Sequence, residues 1–139
     1  MADNHSKEAR SYNMSRIRGK DTKPEEIVRK YLFSKGLRFR KNDKRYPGHP
    51  DIVLPRYKTI VFVHGCFWHF HDGCKYAVMP SSNVEFWKKK LYGNKERDYK
   101  VQKELEDMGW RVIIVWECQL RKDSKEKTLQ DLYQQIIEL

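Results

Sequence analysis

The chain has 139 residues, 35% of them charged, and Lys plus Arg exceed Asp plus Glu by 29 to 19, a net charge of +10. That length suits one domain with its own hydrophobic core, and the charge favours a polyanionic partner, nucleic acid first, unless it serves only solubility. No apolar run approaches the ~18 residues that cross a bilayer, MADNHSKEARSYN lacks a signal peptide's apolar core, and three cysteines are an odd number for a disulfide framework. The expectation is a cytoplasmic protein with no membrane partner and with reduced thiols available to a metal.

Residues 1–20 carry Lys7, Arg10, Arg16, Arg18 and Lys20, with little apolar content beyond Met14 and Ile17. They read as a basic arm that folds down on a partner, or as a tail with no task. Residues 21–139 read as one domain. In DTKPEEIVRKYLFSKG, Thr22 and Glu25 have capping-box spacing, Pro24 suits a first helical turn and Gly36 a C-terminal stop. Glu25, Val28 and Leu32 at i, i+3 and i+7 place a carboxylate on the core-facing stripe, although an acid there also serves as a cap or dipole partner.

LRFRK, DIVL and TIVFVH read as strands, the last two joined by the loop PRYK. Pairing Leu54 with Thr59 sets Asp51 opposite Phe62, with His64 its diagonal neighbour on the same face. A loop follows through the 66–82 region. NVEFWKKKLYGNKERDYKVQKELEDMG reads as two helical pieces broken at Gly93-Asn94 and closed by Gly109. In the second piece Asp98, Val101, Leu105 and Met108 share one stripe, again with a carboxylate near a helix start. WRVIIVWEC is an apolar strand and TLQDLYQQIIEL an amphipathic helix. The order predicts an α/β fold, a mixed β-sheet flanked by helices.

The densest chemistry lies in VFVHGCFWHFHDGC, residues 61–74. Cys66, His71 and Cys74 have the spacing C-x4-H-x2-C, and Cys118 at the end of the last strand completes four soft donors suited to tetrahedral Zn²⁺. The alternative is buried free cysteines beside a chance histidine. The zinc reading leaves His64 and His69 over. Pro50-Asp51 and the strand ending VFVH resemble a nuclease core in which Pro-Asp is followed by acid-x-Lys, here replaced by Phe62, Val63 and His64. Glu25 and Asp98 can supply the missing carboxylates, oxygen ligands suit Mg²⁺, and His69 offers an imidazole, the side-chain type suited to a water-activating base.

With NMSRIRGKDTKPE, PGHPDIV, VFVHGCFWHFH, EFWKKKLYGNKERD and GWRVIIVWEC in view, the chain resembles the very short patch repair (Vsr) endonucleases from residue 1 to about 121. The resemblance implies a restriction-endonuclease-like sheet with an embedded structural zinc site and a Mg²⁺-dependent active site. It implies a nick 5′ to the thymine of a T:G mismatch left by deamination of 5-methylcytosine, which initiates very short patch repair. Asp51 becomes the main metal-binding carboxylate, His69 the base, and Glu25, His64 and Asp98 supporting groups. Cys66, His71, Cys74 and Cys118 match the family's zinc ligands. Where the family commonly has threonine, Val63 stands, and a backbone carbonyl offered to Mg²⁺ from that position survives the change. Two residues separate His71 from Cys74 where the family has one, and Gly73 eases the insertion.

Adjacent Phe67 and Trp68 in a glycine-flanked loop cannot both turn inward, which suggests a wedge between base pairs, cheapest at a wobble pair. Trp87 joins them, unless it is a core residue alongside Val84 and Leu91. The resemblance implies that these aromatics intercalate from the major groove while Met14 and Ile17 of the arm approach from the minor groove. The implied partners are duplex DNA with a T:G mismatch and downstream repair proteins. The implied enzyme is a monomer in the bacterial cytoplasm, nucleoid-associated when acting. Two rivals stay open: a restriction- or defence-type Mg²⁺ nuclease without mismatch requirement, and a non-enzymatic zinc module that binds DNA.

Overall fold

The computed structural model describes residues 22–138. Met14, Ile17 and the rest of the basic segment lie outside the described residues. Helix α1 (Lys23–Ser34) is followed by the short strand β1 (Arg40–Lys41), then β2 (Ile52–Leu54) and β3 (Thr59–His64). Helix α2 (Val84–Asp107) crosses to β4 (Arg111–Trp116), and α3 (Lys125–Ile137) ends the fold. The sheet order is β1-β2-β3-β4. The first two pairings are antiparallel and the third is parallel, as the long helical crossover between β3 and β4 requires.

Alternation along the strands distributes the core over both faces of the sheet. Ile52, Leu54, Val61, Val63, Ile113 and Val115 pack on one face with Val28 and Leu32 of α1 and Leu129, Leu132 and Ile136 of α3. Val53, Ile60 and Phe62 meet Leu105 of α2 and Trp110 on the other, with Val101 against them. The expected mixed sheet between helices is therefore observed, and the Leu54–Thr59 register holds. The ladder stops at Ile52–Val61, one pair short of Asp51. Instead the Asp51 carboxylate accepts the Val63 N–H at 2.7 Å, so a side chain takes the place of the next backbone bond.

Four local expectations are corrected. Thr22 makes no side-chain cap to α1, and Glu25, 3% exposed, accepts a hydrogen bond from Arg29 one turn on. No break occurs at Gly93-Asn94, since α2 is continuous. A helical glycine costs about 1 kcal/mol, which is offset here by buried Leu91 and Leu105 on either side and by Asn94 Nδ2 donating to the Trp68 carbonyl at 3.0 Å. Met108 is exposed and Trp110 fills the core in its place, because α2 ends before Met108 and the chain turns at Gly109 (φ +92). The last strand stops at Trp116, and Glu117–Leu120 form a 3₁₀ turn that returns Cys118 toward Cys66.

Candidate active site

One cleft of about 600 Å³ opens where the ends of β2 and β3 meet the starts of α1 and the middle of α2, and Glu25, Asp51, Val63, His64, His69 and Asp98 all line it. Each arrives by a different local rule. Asp51 precedes β2 after Pro50, His64 ends β3 on the same face as Phe62, and Glu25 and Asp98 project from helices. His69 follows in a loop closed by its own N–H donating to the Gly65 carbonyl at 3.1 Å.

Burial dominates the electrostatics. It pushes the Asp51 carboxyl well above the usual carboxylate range, to about 8, against the lowering effect of the Val63 N–H and with a further rise from nearby Glu25. A cation in the cleft would reverse that balance, and a buried carboxylate with a second one close by has the donor chemistry of a hard-metal site. Burial also pushes the His64 imidazole down to about 4, helped by neighbouring His69, so His64 is neutral at physiological pH. His64 Nδ1 is buried and has no hydrogen-bond partner among the described residues.

His69 Nδ1 and Asp98 Oδ2 lie 2.5 Å apart. An Nδ1–H donated to that carboxylate leaves Nε2 as the free basic nitrogen, and the carboxylate stabilises the charge the ring acquires on taking a proton. The donor atoms of His64, His69 and Asp98 lie within 4.8 Å of one another. They suit a proton-transfer unit better than a metal nest. The two imidazoles stack face to face, 3.8 Å apart at 4°, so their in-plane lone pairs run parallel and do not converge on one ion, and His69 Nδ1 is already engaged.

Cys66, His71, Cys74 and Cys118 come together with donor atoms within 4.8 Å of one another. The Cys118 N–H donates to Cys66 Sγ at 3.3 Å, and Cys118 Sγ lies 3.5 Å from His71 Nδ1. Burial pushes the Cys66 thiol up to about 12 and raises Cys118, while the Tyr76 N–H lowers Cys74. Three thiols and an imidazole in one tetrahedral-sized group, with no fifth donor or open face required, fit a closed structural site for a thiophilic metal. Between His71 and Cys74, Gly73 takes φ +67, and a Cβ there would meet nothing within 4 Å.

Phe67, Trp68 and Trp87 form a cluster of their own, with centroids 5.1, 5.5 and 6.0 Å apart. All three are half-buried and, among the described residues, stand apart from both core groups. Phe86, 60% exposed, meets Trp87 edge to face at 5.3 Å.

The sequence profile of the DNA mismatch endonuclease Vsr matches residues 2–75. The DNA mismatch endonuclease Vsr of Escherichia coli K12 is 45% identical over 125 residues, covering 90% of this chain and 80% of that one. This chain belongs to the Vsr family. It is also 54% identical over 121 residues to the type II nicking enzyme V.NmeAIP of Neisseria meningitidis, covering 87% of this chain and 86% of the relative. A third relative, the type II nicking enzyme V.XorIIP of Xanthomonas oryzae, is 46% identical over 120 residues, 86% of this chain and 88% of its own.

As a Vsr-type DNA endonuclease the chain has the restriction-endonuclease-like architecture of its family, and DNA is its partner. No described helix is long and apolar enough to cross a membrane. Two residues at the Vsr site escaped the sequence reading. Arg97 is the one Lys or Arg among the described residues lining the cleft; its position directly before Asp98 was the available signal. Trp116 packs between His64 and His71, and strand alternation with the parallel β3–β4 register, which pairs it with His64, would have found it.

Proposed function

We propose that this Vsr-family endonuclease nicks duplex DNA 5′ to the thymine of a T:G mismatch and so initiates very short patch repair. The observation that carries the reading is the His69–Asp98 pair at 2.5 Å in the same cleft as buried Asp51, with Trp68 lining that cleft and tying it to the aromatic cluster. In this reading Asp51 and the Val63 carbonyl hold Mg²⁺, and Cys66, His71, Cys74 and Cys118 hold Zn²⁺. Magnesium held there would supply Lewis-acid neutralisation of phosphodiester charge.

His69 Nε2 takes the proton of the attacking water as its oxygen bonds to phosphorus and the bond to the leaving sugar oxygen breaks. Asp98 keeps the imidazole in the required tautomer and stabilises its protonated form. Glu25 sets the charge beside Asp51, and neutral His64 backs the His69 ring. Phe67, Trp68 and Trp87 enter the base stack at the mismatch, where unstacking costs less than in a matched duplex. Residues 1–20, with Met14 and Ile17, act as an arm on the opposite groove of the DNA. The enzyme works as a monomer, and repair proteins act on the nick it leaves.

Two of the relatives above carry the name type II nicking enzyme, which favours one second reading: nicking that is directed by sequence and does not need a mismatch. Two duplexes that differ only by T:G versus C:G separate the readings. The expected result is a strand break 5′ to the thymine in the T:G duplex alone, with Mg²⁺ and not with a chelator. Equal nicking of both duplexes selects the second reading, and no break in either removes both.

A further inference from the structure

We propose that Trp116 is a positioning residue that couples the Cys66/His71/Cys74/Cys118 cluster to the His64–His69 pair. Four rings run in unbroken contact between the two sites. Trp116 lies flat on His71, centroids 3.9 Å apart at 4°, and presents itself to His64 at 5.2 Å and 78°. His64 in turn lies flat on His69 at 3.8 Å and 4°. The far end of this stack is the imidazole that hydrogen-bonds Asp98.

His64 is buried and its Nδ1 has no hydrogen bond among the described residues, so a polar anchor that usually sets an imidazole's orientation is not found there. Packing of Trp116 and His69 against it takes over that task. Trp116 itself is held at both ends of its backbone. It pairs with His64 in the parallel ladder, and its N–H donates to Gln119 Oε1 at 2.9 Å. Two residues later comes Cys118, so any movement of the thiolate cluster reaches Trp116 through the chain and through the His71 face together. Close-packed rings transmit such shifts because they have little free volume to absorb them.

The proposal rests on the reading that the cysteine cluster holds zinc and that His69 acts as the base. Its test therefore separates coupling from both. The full-length protein is labelled with ¹⁵N-histidine, its metal content is measured, and zinc is exchanged for cadmium, which keeps the cluster closed but lengthens its bonds. In the wild type the exchange should move the ring signals of His64 and His69 as well as that of His71. W116F should keep this response and most of the nicking rate. W116L should retain its metal, lose the response at His64 and His69, and lower kcat about 10-fold or more with DNA affinity unchanged.

Signals of His64 and His69 that stay still in the wild type, or that move as much in W116L, overturn the coupling. So does a W116L enzyme with the wild-type kcat. If W116L does not fold, W116M takes its place and is read by the same outcomes. A purified chain without zinc removes the metal reading and the proposal together, and that outcome is read from the metal content before any histidine signal is examined.

Discussion

Asp51 is a carboxylate made hard to ionise by burial, and its consequences can be measured without DNA. Its carboxyl is raised from 3.8 to about 8, so the folded chain holds this proton more tightly than the unfolded one. The contribution to stability is fully present below about pH 3.8 and is lost as pH rises through about 8. Metal-free D51N should therefore melt above the wild type at pH 8 and close to it at pH 4, and Mg²⁺ should raise the melting temperature of the wild type but not of D51N. His64, pushed down to about 4, adds an opposite slope below its ordinary value of 6.5; it is common to both proteins and cancels in the comparison. For the proposed base, H69A should lower kcat about 10²–10⁴-fold in single-turnover nicking while mismatch binding persists, and D98N should move kcat the same way. Equal kcat for H69A and the wild type would remove His69 from the chemistry. Asp51, His64 and His69 were legible as candidates from residue type and strand register. What no pattern showed is that His69 takes Asp98 as its partner, because they lie 29 positions apart, His69 in a loop and Asp98 midway along the crossover helix.

At the scale of elements, α2 holds the site together, since it carries Trp87, Asn94 and Asp98 on one continuous rod. Its continuity through Gly93 can be tested directly. A Cβ at Gly93 would meet nothing within 4 Å, so G93A should stabilise the protein by about 0.5–1 kcal/mol, seen as a higher denaturant midpoint. G48A should do the reverse, because Gly48 sits at φ +77 and its Cβ would come within 2.5 Å of Val101 Cγ1. An unchanged or lowered midpoint for G93A would restore the broken helix. The sequence reading placed the break there because Gly-Asn is a local stop signal, and local signals lose when tertiary packing outweighs them. The capping box failed for the same reason: Glu25 has the right spacing from Thr22, yet its carboxylate is drawn to Arg29 and the sheet end.

For the whole molecule, a net charge of +10 sets how DNA is held. Affinity should fall on the order of 10³-fold between 50 and 200 mM salt if at least six phosphates are neutralised, measured by titration of one labelled duplex. A flat salt response would remove the electrostatic footing of the DNA reading. The cysteine cluster ties the 66–74 loop to the turn after β4, so one zinc per chain is expected, and chelation should lower the melting temperature and abolish nicking together. Loss of metal without loss of nicking would detach the cluster from the site.

The chain by itself determined the strand pattern, the β2–β3 register and the division of residues 61–74 into thiol, imidazole and aromatic groups. Those properties follow from side-chain periodicity and donor chemistry, which are local. The tertiary structure decided which groups meet beyond the four-donor cluster: Asp51 with the Val63 N–H, His69 with Asp98, and Trp116 between two histidines. Such meetings depend on how the sheet and crossover helix pack, and sequence spacing carries no record of that distance.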